Sequence, residues 1–236
     1  MHHNIATFHL YTISGMGLNE LLFSKLNLNV SDIHHIKWIE PLSQQESLES
    51  YARRMSEQIH HEENVVLLGV SFGGIMAKTI AKFRKIEKII IISSLKSAEE
   101  KPLTFEMAAL MPIPLHRITP LALKKATLPL WAPLFGLNSR AEQEFFGKMM
   151  NLTSEFYKNW ATTQITQWKD NEPSHHIYHI HGDKDQIFPI KHIKRARIVK
   201  GGDHAMVVKR ADEVSQLINQ ALHDYVHYQV QSNIHH

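Results

Sequence analysis

The stretch NVVLLGVSFGGIMAKTIAKF, Asn64 to Phe83, decides the fold. Val65 to Leu68 form an apolar run, Gly69-Val70-Ser71-Phe72-Gly73 interrupts it, and a helical spacing of apolar residues follows at once. A serine between glycines at such a junction has two readings. Either it is an ordinary turn residue, or the chain bends sharply there to hold a hydroxyl outward. A bare Gly-x-Ser-x-Gly turns up by chance in roughly a tenth of chains this long, so its setting has to carry the argument. A strand-to-helix turn tight enough to expose one side chain strains the backbone at the serine and brings the positions two before and two after it close together. Gly69 and Gly73 are the small residues that this requires, and Gly74 follows them. The helix behind them would offer free N–H groups and the positive end of its dipole to negative charge forming at the hydroxyl.

Working outward, IATFHLYTI reads as a first strand and HHIKWIE, His34 to Glu40, as a second. Ser43 and Glu46 have capping-box spacing, and the helix predicted behind them places Leu48, Tyr51, Ala52, Met55 and Ile59 on one face. VVLLGVS is the third strand. KIIIISS, Lys88 to Ser94, is a continuous apolar run of the kind covered on both faces of a sheet. HHIYHIHGD and ARIVKGGD supply two more strands. A long helix from Ala205 to about Tyr228 then carries a stripe of Val214, Leu217, Ile218, Ala221, Leu222 and Tyr225. Strands alternating with helices predict an α/β fold with a mainly parallel sheet. Between Lys96 and about Asp170 the alternation stops. Proline-punctuated helical pieces rich in Leu, Met, Phe and Trp take over, among them Met107, Leu110, Met111, Trp131, Phe135, Phe145, Phe146, Met149, Met150 and Trp160. Residues 1–95 and 171–236 are therefore expected to form the core, with 96–170 a helical cap inserted in it.

Composition excludes several classes. At 236 residues the chain fits one buried core plus a small insertion. The absence of cysteine rules out disulfides and thiolate metal sites and favours a reducing compartment. No Lys/Arg-rich leader with a cleavage site is evident, so a cytoplasmic location is the expectation. No apolar run approaches the ~18 residues of a membrane span. A formal charge of +3 is too small to argue for nucleic acid. Eighteen histidines, many in pairs (His2-His3, His34-His35, His60-His61, His175-His176, His235-His236), are the oddity, and most read as solvated surface groups. His179 and His181 lie two apart on one strand face without an identifiable third ligand, so a core or loop-orienting role is expected and no metal site is assigned.

A serine hydroxyl needs a base, the base needs an orienting acid, and an acyl-transfer oxyanion needs N–H donors. Candidates stand after separate strands: Gly182-Asp183-Lys184-Asp185-Gln186-Ile187-Phe188-Pro189, Gly201-Gly202-Asp203-His204, and Ser14-Gly15-Met16-Gly17. In this order the motifs resemble those of the α/β-hydrolases, and the resemblance spans nearly the whole chain outside the insertion. It implies that Ser71 is the nucleophile, His204 the general base and Asp185 the carboxylate fixing the imidazole. The backbone N–H groups of Phe72 and Met16 would form the oxyanion hole. Ser14-Gly15 stands where the family often has His-Gly. The chain opens at the equivalent of the family's third strand, which implies a trimmed sheet of about six strands.

Asp183 reads instead as a turn residue and Asp203 as a helix-start acceptor. Gly15-Met16-Gly17 lacks the third glycine of a dinucleotide loop, since Glu20 occupies its place, so no nucleotide cofactor is expected. Lys191, Lys194, Arg195, Arg197 and Lys200 form a basic stretch that reads as a solvated face, with steering of a phosphate-bearing acyl carrier as the alternative. The expected substrate is a small ester or thioester with an apolar part, an acyl-carrier thioester included. Acyltransferase, C–C hydrolase, cofactor-free haloperoxidase and a non-catalytic binding protein are the alternatives on the same site.

Overall fold

The computed structural model describes residues 8–105, 128–150, 154–173 and 177–234, with side chains as far as residue 224. Met107, Leu110, Met111, the side chain of Tyr225, and the pairs His2-His3, His175-His176 and His235-His236 lie outside the described residues. Strands β1 (His9–Ile13), β2 (Ile33–Ile36), β3 (Val65–Val70), β4 (Lys88–Ile92), β5 (Ile177–Gly182) and β6 (Arg197–Val199) form one parallel sheet in the order β2-β1-β3-β4-β5-β6. The sheet thus has the six strands expected. From β1 the chain winds one way to β2, then crosses back to β3 and winds the other way. The crevice beyond the C-terminal ends of β1 and β3 is where such sheets bind ligands. Ser71 and the Ser14–Gly17 segment both emerge there.

Around the sheet lie α1 (Leu48–Ser56), α2 (Phe72–Ile80), α3 (Leu128–Trp131), α4 (Arg140–Met149), α5 (Glu155–Gln167), α6 (Met206–Lys209) and α7 (Ala211–Ile234). Strand side chains alternate between two apolar layers. Val65, Leu67, Ile89 and Ile91 pack toward α1 and α2, whereas Val66, Leu68, Ile90 and Ile92 pack toward α7. With both faces covered, the strands have no polar side, which is why their sequences run apolar without alternation. Each fully buried Ile or Leu contributes roughly 1.5–3 kcal/mol relative to exposure.

Two helix boundaries differ from the sequence expectation. Helix α1 is capped by Ser47, whose hydroxyl accepts the Ser50 N–H, and not by Ser43. Glu46 does not reach back to a cap. It is buried and bound in bidentate fashion by Arg54 while accepting the Leu42 N–H, so a structural ion pair uses the carboxylate that the motif assigned to capping. The long C-terminal helix is broken at Arg210 (φ −125°, ψ 42°), which separates the short α6 from α7. The predicted faces hold. Leu48, Tyr51, Ala52, Met55 and Ile59 are buried, as are Val214, Ile218, Ala221 and Leu222. Among the described residues no helix is long and apolar enough to cross a membrane.

The helical pieces at 128–150 and 155–167 divide between the two layers. Leu128, Ala132, Phe146 and Met149 join the layer of α7; Tyr157, Trp160, Ala161 and Ile165 join that of α1 and α2. The chain is stapled where it leaves and re-enters the sheet around them. The buried Lys78 of α2 donates to the carbonyls of Lys96 and Glu172, both at 2.8 Å, and pairs with Asp170 at 3.2 Å. Asp170 also receives Lys82, and its carbonyl accepts the Ala98 N–H. Lys78→Met removes this charge from its acceptors and should lower stability by about 3 kcal/mol. Urea unfolding measures the loss, and a loss below about 1 kcal/mol would show that the staple is dispensable.

Candidate active site

Ser71 lies between the end of β3 and the start of α2 with φ 54° and ψ −122°, a conformation that side-chain-bearing residues rarely adopt. Strain of this kind costs on the order of 1–3 kcal/mol and persists only where the surroundings enforce it. Here they do. A Cβ on Gly69 would stand 2.3 Å from the Gly73 carbonyl oxygen, and one on Gly73 would stand 2.2 Å from that of Ile13. The Ser71 N–H donates to the Ile92 carbonyl at 2.9 Å, while its own carbonyl accepts the Ser94 hydroxyl at 2.7 Å and the Gly74 N–H at 2.9 Å. Neighbouring strands thus hold the turn from both sides.

Two other strand ends bring their side chains to this hydroxyl. His204, between β6 and α6, approaches Ser71 Oγ through Nε2 at 3.0 Å and Asp185 Oδ2 through Nδ1 at 2.8 Å. The second contact makes Nδ1 the protonated nitrogen, because a carboxylate can only accept, and leaves the Nε2 lone pair facing the hydroxyl. Asp185 is buried, and its Oδ1 accepts the N–H groups of Ile187 and Phe188, both at 2.9 Å. Burial pushes its pKa up, but the charge and hydrogen bond of His204 outweigh that and hold it below the usual carboxylate value. The phenyl rings of Phe135 and Phe188 stand edge-on to the imidazole, 5.3 and 5.5 Å away between centroids. Ser71, Asp185 and His204 are therefore brought to one point from positions far apart in the chain.

Asp183 takes no part in this group and accepts the Gly201 N–H. Asp203 accepts the Ala205 N–H and pairs with Lys209, closing the turn into α6. His181 Nε2–H donates to the Phe188 carbonyl at 2.8 Å, and its Nδ1 faces His179 Nε2 at 3.3 Å. Both rings are buried, which drives the pKa of His179 well below the ordinary value and that of His181 downward too. They are neutral struts under the loop that carries Asp185.

The Ser14–Gly17 segment lies against the serine, since a Cβ on Gly15 would be 3.7 Å from Ser71 Cβ. The Phe72 amide, in the first turn of α2, has no carbonyl of that helix four residues behind it. One residue that fixes this corner gave no sequence signal: Trp38, just past β2. Its indole N–H donates to Ser14 Oγ and to the Gly15 carbonyl, both at 3.0 Å, and its ring stacks on Phe72 at 5.3 Å and 6°. Trp38 thus sets the spacing between the two segments that carry the Met16 and Phe72 amides.

Ser71 and His204 open into a cavity of about 250 Å³. Trp131, Phe135, Phe146 and Met150 form one wall, Ile165, Ile187 and Phe188 another. The apolar residues of the 96–170 segment therefore do two things: Trp131, Phe135, Phe146 and Met150 line the cavity, while Met149 and Trp160 are buried in the packing. An activated serine on such a floor is suited to attacking an electrophilic carbon whose substituents are apolar.

No protein-family model matches the sequence, and no curated protein matches it. Solved structures do match in shape. A carboxylesterase structure from the thaumarchaeon Nitrososphaera gargenis has a TM-score of 0.63 at 17% identity, over 95% of this chain and 93% of that one. A bromoperoxidase from Bacillus anthracis gives 0.64 at 17% identity, over 92% of each chain. An extracellular α/β-hydrolase from a Paenibacillus species gives 0.59 at 15% identity, over 91% of this chain and 98% of that one. The likeness is one of fold. Trp38→Phe keeps the ring stack and removes the N–H, so phosphonylation of Ser71 by a fluorophosphonate should slow about tenfold, the equivalent of one lost hydrogen bond. An unchanged rate would mean that Trp38 does not shape the site.

Proposed function

We propose that this chain, an α/β-hydrolase by fold, is a serine hydrolase that cleaves a carboxylic ester or thioester with an apolar acyl or alcohol part. The observation that carries this reading is the continuous hydrogen-bonded line from Ser71 Oγ through both nitrogens of His204 to Asp185, opening into an apolar cavity. In the proposed reaction His204 Nε2 takes the Ser71 proton as Oγ attacks the carbonyl carbon, and Asp185 stabilises the imidazolium that forms. The Phe72 and Met16 amides donate to the developing oxyanion. The tetrahedral intermediate collapses as His204 returns the proton to the leaving alcohol or thiol. Water, deprotonated by the same imidazole, then attacks the acyl-Ser71 carbonyl, and the acid departs with Ser71 restored.

In this proposal residues 1–95 and 171–236 are the catalytic core, and 96–170 form a cap that selects the substrate. The cavity volume lies just below the usual range for ligand sites, which favours acyl groups of short to medium length. Exposed Lys191, Arg195 and Lys200 border the loops of Asp185 and His204, which brings an acyl group on a phosphate-bearing carrier within the proposed substrate class.

A panel of p-nitrophenyl esters and acyl-thioesters of graded chain length, with product analysis, tests the reading. Turnover should release free acid, Ser71→Ala should lower kcat by about a millionfold, and Asp185→Asn by about ten-thousandfold. Ordinary turnover by Ser71→Ala would end the proposal. Trp131→Ala enlarges the cavity and should move the preferred chain length upward by several carbons; an unmoved optimum would mean that this wall does not bound the acyl group.

A further inference from the structure

At the opposite end of the sheet from Ser71, the N-terminal ends of β1 and β2 and the segment leading into β3 bring His9, Asp32, His34 and His61 together. One donor atom from each lies within 4.8 Å of all the others. Among the described residues no other set of three or more such side chains gathers this closely. We propose that these three imidazoles and one carboxylate bind a divalent transition-metal ion of the zinc class. The set has the composition that such ions take, imidazole nitrogens with an oxygen.

The contacts within the cluster hold the four side chains against one another. Asp32 spans two histidines, with Oδ2 against His9 Nδ1 and Oδ1 at 2.9 Å from His34 Nε2. Yet His34 Nε2, buried at the atom level, makes no aligned hydrogen bond. Its lone pair is therefore open to a further partner. His9 and His61 lie face to face, 3.4 Å between centroids and 7° from parallel, so a shared ion would require one ring to tilt out of the stack. An outer contact is also in place. The Tyr11 hydroxyl holds His61 Nδ1 at 2.7 Å, receives the His60 N–H at 3.1 Å, and its ring stacks on His34 at 4.6 Å. Such partners orient ligating imidazoles. Tetrahedral ligands about 2.0–2.1 Å from zinc stand roughly 3.4 Å apart, so binding would move the two histidine nitrogens off the Asp32 oxygens and tilt the stacked rings. The ion would clamp the edge strand β2 to β1 and to the turn before β3.

The test uses the full-length chain, freed of metal by chelation and titrated calorimetrically with Zn²⁺, alongside Co²⁺ as a spectroscopic probe. One equivalent should bind with a submicromolar Kd, the Co²⁺ complex should show intense visible bands of tetrahedral coordination, and Tm should rise by several degrees at saturation. Asp32→Asn and His34→Ala, each checked for its fold by circular dichroism, should each weaken binding on the order of a hundredfold. His223→Ala, whose side chain is 68% exposed elsewhere on the surface, should not. Equal affinity in Asp32→Asn and the parent chain would overturn the site. So would weak binding of several equivalents with only octahedral Co²⁺ bands, since scattered surface histidines would then account for the metal.

Discussion

The site depends on how closely two pieces of backbone pass beneath Ser71. The Gly69 and Gly73 positions leave no room for a methyl group: the nearest carbonyl oxygens would sit 2.3 and 2.2 Å from it. With those positions empty of side chain, α2 can start directly against the end of β3 and over the carbonyl of Ile13. The serine between them is forced to φ 54°, and its hydroxyl points away from the sheet. The Ser71 N–H donates to Ile92 and the Ser94 hydroxyl donates to the Ser71 carbonyl, which ties the same turn to β4, so the central strands of the sheet share in holding it. Asp185 and His204 then need only stand past the ends of β5 and β6, on the far side of β4, to complete the line.

The cavity above follows from how the helical pieces are divided. One group packs with the layer of α7 and the other with the layer of α1 and α2. Ser71 lies at the sheet edge between those layers, so the space over it is the seam where the two meet. Its walls are apolar because each is the margin of a hydrophobic core. Lys78 and Asp170 hold both ends of this arrangement to α2, the helix that begins at the serine. The roof and the floor of the cavity are thus referenced to one rigid element.

Much of this was legible in the chain because its signals are local. The apolar runs of β3 and β4 announced strands covered on both faces, and the two glycines announced the turn. Ser71, Asp185 and His204 each stand just past a strand, and a parallel sheet gathers such positions at one edge. What the sequence hid was long-range. Ser43 and Glu46 have the spacing of a capping box, but Arg54 competes for that carboxylate, and only tertiary packing decides the outcome. Trp38 looked like one more strand residue until its indole N–H met the Gly15 carbonyl. His9, Asp32, His34 and His61 belong to three separate segments, and no periodicity links them. The break at Arg210 leaves no mark in the apolar stripe that runs on into α7.

The backbone at position 71 also bears on how such a chain would drift over generations. Glycine would occupy that positive φ without strain, whereas serine holds it only under compulsion. Selection for a durable fold alone would therefore favour losing the hydroxyl, and one codon change would be enough. That a serine stands there means this corner keeps a hydroxyl beside His204 at the expense of backbone ease.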